Sequence, residues 1–157
     1  MWDMKKKTKY FVEERILIDA DINIVWQYMI DWDSYHKWNP FIVNVDYQVN
    51  QENKIHKMKF YLQWQDGKQG TSIEEMVASV PPSDGSAELV YRYASLMAKL
   101  GLLRATRIQQ LHANGQQTEY YTKEEFSGIL ARFVPIMAVK EGFSAQAKAL
   151  AKITADK

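Results

Sequence analysis

An α+β fold, with a seven-stranded antiparallel sheet wrapped around one long C-terminal helix, follows from three features of this sequence. Apolar residues recur at helical spacing after the first strand and again near the C-terminus. Between those two regions the apolar pattern alternates with the period of a strand. Turn signals such as Asp66-Gly67 and Asn114-Gly115 cut the alternating region into short pieces that only hairpins can join. Helices gathered on one side of an antiparallel sheet give a layered α+β architecture.

Each element has its own warrant. Tyr10–Ile18 places Tyr10, Val12, Ile16 and Ile18 on one parity, with Glu14 the odd member, and reads as the first strand. Ile22, Val25, Trp26, Met29 and Ile30 then form the stripe of an amphipathic helix, with Asp21 as its N-cap. Asp33 is expected to cap a second short turn carrying Tyr35 and Trp38. Asn39-Pro40 ends that turn, because a residue before proline avoids the helical region. Phe41, Val43, Val45, Tyr47 and Val49 alternate as the second strand, and His56, Met58, Phe60, Leu62 and Trp64 as the third. The fourth is expected over Thr71–Val80, ended by Pro81-Pro82. The fifth is Ala87–Ser95, with Leu89, Tyr91 and Tyr93 on one face. The sixth is Arg104–His112; the seventh, Gln117–Phe126, places Tyr120, Thr122, Glu124 and Phe126 on one face. Past Ser127-Gly128 the helical period returns through Ile129, Phe133, Ile136, Phe143, Ala147 and Leu150. One helix over Ile129–Ala155 is expected, kinked at Pro135 and weakened at Gly142.

The chain of 157 residues reads as one domain over 8–157, with 1–7 a short N-terminal extension and Met4 the original start. About two-thirds of its surface can be buried, so no metal or disulfide staple is needed, and the chain has no Cys to supply one. That count removes thiol chemistry and Cys-based zinc sites and fits a cytoplasmic setting. Twenty basic residues against nineteen acidic ones give a net charge of +1, too balanced for nucleic acid or a membrane surface as the main partner. The longest apolar stretch, 129–139, is broken by Arg132 and Pro135 and is far short of the roughly twenty residues of a membrane span.

No phosphate loop, nucleophile elbow, paired zinc ligands or acidic metal cluster is visible, and no cofactor is implied. His36, His56 and His112 are the only histidines, and no two have metal-ligand spacing. His56 shares the apolar face of its strand, either pointing inward or lying at a solvated strand end. Glu124 has the parity to face inward, as a ligand-orienting group, a general acid or base, or a structural carboxylate that pairs with a cation or caps the long helix. As a lone carboxyl with no inward His beside it, Glu124 lacks a partner to split acid and base roles, so it is expected to be structural or ligand-orienting and no catalytic residue is expected. Its expected partners are the backbone near Gly128, a Tyr hydroxyl, or Lys140. Glu75, alternating with Ile73 and Val77, carries the same ambiguity. Lys140 interrupts the helical stripe and either faces a cavity or snorkels to the flank. The set His56, Met58, Phe60, Trp64, Tyr91, Tyr93, Tyr120, Phe133 and Phe143 mixes aromatic bulk with polar tips, which suits either a ligand pocket or an aromatic-rich filled core. Leu96–Leu103 is too apolar for a free loop and reads as a cavity lip, a dimer contact or a buried turn.

Ile16-Leu17-Ile18-Asp19-Ala20, Val25-Trp26, Asp31, Tyr35 and Trp38-Asn39-Pro40-Phe41 form an N-terminal signature, and Glu124-Glu125-Phe126-Ser127-Gly128-Ile129-Leu130 an E-x-F-S-G-x-L segment. With Gly142-Phe143 and Ala149-Leu150-Ala151-Lys152, these resemble the START-like (SRPBCC) superfamily. That group has the helix-grip fold and includes Bet v 1-like, polyketide cyclase/dehydrase and lipid-transport proteins. The resemblance spans about residues 10–155. Thr106 and Thr122 stand where bacterial relatives often carry His, and Ile22 where a Pro is common. The resemblance implies a cavity of about 300 Å³ or more that binds or carries a small hydrophobic or amphipathic ligand, whether lipid, polyketide or aromatic. His56, Met58, Phe60, Trp64, Tyr91, Tyr93, Tyr120, Thr122, Glu124, Phe133, Met137 and Phe143 are the expected ligand-binding residues. Leu96–Leu103 and Pro135 are the expected rim, in a monomer or weak homodimer. The alternatives are a cyclase or dehydratase type of enzyme using Glu124 or His56 as acid–base group, and a protein-interaction module acting through Leu96–Leu103.

Overall fold

The computed structural model describes residues 10–155 and 157; the expected extension over 1–7 lies outside the described residues. The chain runs β1 (Tyr10–Ile18), α1 (Ile22–Ile30), a 3-10 turn (Trp32–Ser34), α2 (Tyr35–Trp38), β2 (Ile42–Val49), β3 (Ile55–Gln63), β4 (Gln69–Ser83), β5 (Ser86–Tyr93), α3 (Leu96–Lys99), β6 (Arg104–Asn114), β7 (Gln117–Ser127), a 3-10 turn (Ala131–Phe133) and α4 (Ile136–Ala155). Every paired neighbour is antiparallel, in the order β1-β7-β6-β5-β4-β3-β2. This is the helix-grip arrangement. β1 is the one strand out of sequence order, because α1 and α2 carry the chain across to the far edge of the sheet before β2 begins.

Local chemistry explains the helix starts and breaks. The Asp21 carboxylate accepts from the Asn23 N–H at 2.8 Å, as an N-cap should. Asp33 does not cap α2; it accepts from the Tyr47 hydroxyl at 3.1 Å and ties the short helix to β2 instead. Asn39 ends α2 and leads into β2, its side-chain oxygen accepting from the N–H groups of Phe41 and Ile42 at 3.0 and 2.9 Å. The single kinked helix expected from Ile129 is in fact two pieces. Val134, held extended by the following proline, separates a 3-10 turn from α4, and the Pro135 carbonyl accepts the first bond of that helix. β4 runs on through Pro81-Pro82 to Ser83, where its ladder to β5 shifts register and β3 no longer covers its other edge, so two missing N–H groups cost little.

α4 lies in the concave side of the sheet. Its C-terminal half packs Ala147 and Leu150 with Ile18, Val25, Met29, Leu89 and Leu111 in one buried cluster. Its N-terminal half meets Phe41 through Gly142, where an added Cβ would come within 2.5 Å of the Phe41 ring. Gly142 costs helix propensity but allows that approach. Among the described residues no helix is long and apolar enough to cross a membrane.

Candidate functional site

Alternation and register together build the site. Inward positions on β6 are Ala105, Arg107, Gln109 and Leu111, all buried. Arg107 is opposite Tyr91 of β5 and opposite Glu124 of β7, so one row across three strands carries a hydroxyl, a guanidinium and a carboxyl on the concave face. In the next row Gln109 is opposite Thr122. Glu74 of β4, opposite Tyr93, brings a second carboxyl to the same space.

These groups wall a cavity of about 250 Å³ between the sheet and the N-terminal half of α4. Its apolar walls include Phe41, Phe60, Leu62, Trp64, Tyr93 and Phe143, with Leu103, Val134 and Pro135 on the side of the expected rim. Phe60 meets Tyr91 edge-on with centroids 5.1 Å apart, and Phe41 meets both Trp64 and Phe143 edge-on. The volume is just below the range of about 300–1,000 Å³ usual for small-molecule sites and far larger than a single water.

Arg107 is 3% exposed. It donates from Nε to the Thr122 hydroxyl at 3.0 Å, from Nη1 to the Tyr91 hydroxyl at 3.1 Å, and from Nη2 to the Tyr120 hydroxyl at 3.4 Å and the Gln146 amide oxygen at 3.2 Å. Its guanidinium carbon stands 3.8 Å from the centroid of the Phe143 ring, a cation–π contact. Gln109 completes a closed circuit, donating to Tyr91 at 3.1 Å and accepting from Tyr120 at 2.7 Å. All of these acceptors are neutral, and among the described residues Arg107 has no carboxylate at ion-pair distance. A buried charge satisfied only by neutral dipoles is a costly arrangement that attracts an anion or an electronegative oxygen. Tyr91 accepts two bonds, which leaves its own proton free to donate from the cavity wall. Burial raises both the Tyr91 and the Tyr120 hydroxyls above the ordinary tyrosine range, Tyr91 strongly.

The two carboxyls are not equivalent. Glu74 accepts from the Ser72 hydroxyl at 2.7 Å, whereas the Glu124 carboxyl makes no hydrogen bond or ion pair among the described residues. Glu124 is half-buried by surface area because it borders the cavity, but it lies deep in the protein. Burial pushes both carboxyls up from the usual carboxylate range. The charge of Glu124 pushes Glu74 further, and Arg107 restrains both.

Of the residues expected from the sequence, Phe60, Trp64, Tyr91, Tyr93, Glu124 and Phe143 meet at the cavity wall. Met58 is buried but does not line that wall, and Tyr120 and Thr122 stand behind the wall as partners of Arg107. Three expectations are corrected. His56 has the right parity but lies near the open end of β3 and is exposed. Phe133 and Met137 are also exposed, because the break at Val134 turns the preceding segment outward and α4 presents Met137 away from the cavity. Glu75 points to the outer face and bonds Arg92 at 3.1 Å. The inward residue is Glu74, since Ser72, Glu74 and Met76 line the concave side while Ile73 and Val77 face out. Lys140 is exposed in a groove with Glu14 and Gln65 and does not reach Glu124. Thr106 is on the outer parity of β6, and the polar groups that strand sends inward are Arg107 and Gln109. Arg107 carried a usable signal, because a two-residue hairpin loop, which Asn114-Gly115 favours, pairs even positions of β7 with odd positions of β6, so turning Glu124 inward turns an odd-numbered residue of β6 inward.

The sequence model of the family described as polyketide cyclase / dehydrase and lipid transport matches residues 11–154. A search of curated proteins found no match. Among solved structures, a hypothetical protein from Helicobacter pylori is similar at a TM-score of 0.73 with 20% identity, covering 98% of this chain and 95% of that one. The Zhui aromatase/cyclase from Streptomyces sp. R1128 is similar at 0.71 with 12% identity, covering 92% of each chain. A START superfamily protein from Mycobacterium smegmatis is similar at 0.65 with 14% identity, covering 94% of this chain and 95% of that one. At these identities the structural likenesses speak for the fold, and the match over 11–154 shows that the chain belongs to the polyketide cyclase / dehydrase and lipid transport family.

Proposed function

We propose that the protein binds a small apolar molecule in the cavity between the sheet and α4 and holds it by one oxygen-bearing end against Arg107 and Tyr91. The observation that carries this reading is the buried Arg107 guanidinium, bonded only to neutral acceptors at the wall of an aromatic-lined space of about 250 Å³. Apolar burial supplies most of the affinity, at about 25 cal/mol per Å² before association costs. The Arg107 charge selects the oriented pose. The family, whose description couples cyclases with lipid transport, supports a ligand of the polyketide, lipid or aromatic class.

Calorimetry with 1-naphthoate and its neutral analogue 1-naphthalenemethanol tests the reading. The acid should bind about tenfold or more tightly, the worth of a charge-assisted hydrogen bond. Arg107→Gln should erase that preference. Ala105→Leu, which adds volume to the cavity wall, should weaken both ligands. Binding that ignores Ala105→Leu would place the ligand elsewhere and refute the reading.

A second reading, acid–base catalysis, is favoured by one observation: Glu124 is not a lone carboxyl, because Glu74 shares its cavity and both are held up toward neutrality. Such a pair can split the acid and base roles. It would remove a proton from carbon beside a carbonyl polarised by Arg107. Deuterium exchange from D2O into the methyl group of 1-acetylnaphthalene would report it, and Glu124→Gln should slow the exchange by about a hundredfold. Exchange at the solvent rate would exclude this reading for that ketone.

A further inference from the structure

We infer that the rim of the cavity is a docking surface for anionic lipid. Among the described residues the five most exposed large apolar side chains, Leu96, Leu100, Ile129, Phe133 and Met137, are 62–70% exposed, and all lie in two short segments, 96–103 and 129–137; Met97 adds a sixth exposed group. These segments leave the same end of the β6–β7 ladder, where Arg104 is opposite Ser127. They touch through backbone: the Leu130 N–H donates to the Leu102 carbonyl at 3.0 Å, and Gly128 has no room for a Cβ beside that carbonyl. Leu103, Val134 and Pro135 of the same two segments line the cavity, so these segments form its rim, with Met137 turned away along α4.

Charge identifies the occupant. No acidic residue lies between Ala94 and Thr106 or between Phe126 and Val139, whereas Lys99, Arg104 and Arg132 are all exposed there; Lys140, further along α4, shares its groove with Glu14 and Glu141 and stands apart from them. Among the described residues none of these three makes an ion pair. The Arg132 guanidinium instead lies over the Phe133 ring, 5.0 Å from its centroid. The overall charge of +1 conceals this one-sided cluster. Apolar tips among unpaired cations match the boundary of a lipid leaflet, where side chains enter the acyl region and cations meet anionic headgroups. A protein partner would need acidic residues around an apolar centre, and a second copy would set cation against cation.

Co-sedimentation with vesicles, without any cavity ligand, tests this separately from the binding proposal. The full chain should sediment with vesicles containing phosphatidylglycerol about tenfold more than with pure phosphatidylcholine, and raised salt should reduce the difference. The triple variant Leu96→Ser, Leu100→Ser, Phe133→Ser keeps every charge and should lose about ninety per cent of the bound fraction. Circular dichroism should match the parent, since all three side chains are exposed. If that variant does not fold, Lys99→Gln with Arg132→Gln gives the second test and should abolish the preference for anionic vesicles. The inference is overturned by equal sedimentation with both vesicle types, by undiminished binding of the folded apolar variant, or by a dimer in analytical ultracentrifugation that the same variant dissolves.

Discussion

The two halves of α4 face interiors of opposite kind, although one sheet encloses both. At the C-terminal half, Ala147 and Leu150 share a filled core with α1, which supplies Val25 and Met29. At the N-terminal half no such helix intrudes. The sheet and α4 diverge around a space of about 250 Å³, and the strands send Arg107, Glu74 and Glu124 toward it. A filled interior is specified by volume, so apolar side chains dominate it, Trp26 of α1 included, and its few polar groups, such as Thr118 and Thr154, bond backbone carbonyls. An unfilled one permits polar groups because a ligand or water can satisfy them.

The largest effect that sharpens this contrast is truncation on either side. Leu111→Ala, in the filled half, should cost about 2–5 kcal/mol in urea unfolding, because the hole cannot collapse. Leu62→Ala only enlarges an existing space and should cost less than about 1 kcal/mol. Equal costs would mean that the cavity is closed in solution. Gly142→Ala is next. Better helix propensity should be outweighed by the clash with Phe41, for a net loss of about 1–3 kcal/mol, and Phe41 forced into the cavity should reduce ligand affinity as well.

A smaller effect appears against pH. Burial raises the folded Glu74 and Glu124 carboxyls above the ordinary carboxylate range, and the charge of Glu124 raises Glu74 further. Between the unfolded and folded values the native state therefore holds more protons than the unfolded chain. Stability should fall as pH rises through that window, by up to about 1.4 kcal/mol per pH unit for each proton of difference. Glu74→Gln should flatten the slope in urea titrations at several pH values; an unchanged slope would show that Glu74 ionises normally. The smallest effect belongs to the rim, where Phe133→Ser should change stability by no more than about 0.5 kcal/mol. A larger loss would move Phe133 from the surface into the core.

The order of elements, the antiparallel sheet and the inward faces of β3, β5 and β7 were legible because the apolar period there is unambiguous and turn residues mark its ends. β4 misled because Ile73 and Val77 satisfy strand preference on the outer face while the cavity face carries Ser72 and Glu74. Neither parity of β6 is clearly apolar, so its face had to come from the hairpin register rather than from its own pattern. The helix break at Val134 followed a rule visible in the sequence, that residues before proline avoid helix, but whether Pro135 kinks or starts a helix depends on what the preceding turn packs against. By itself the sequence determined which residues alternate, cap and turn, since those are local properties of the backbone and side chain. Tertiary structure alone decided that Arg107, Glu74 and Glu124 share one space and that the rim leucines and Phe133 share one surface. Those neighbours are brought together by strand pairing across the sheet, and local periodicity carries no information about such distances.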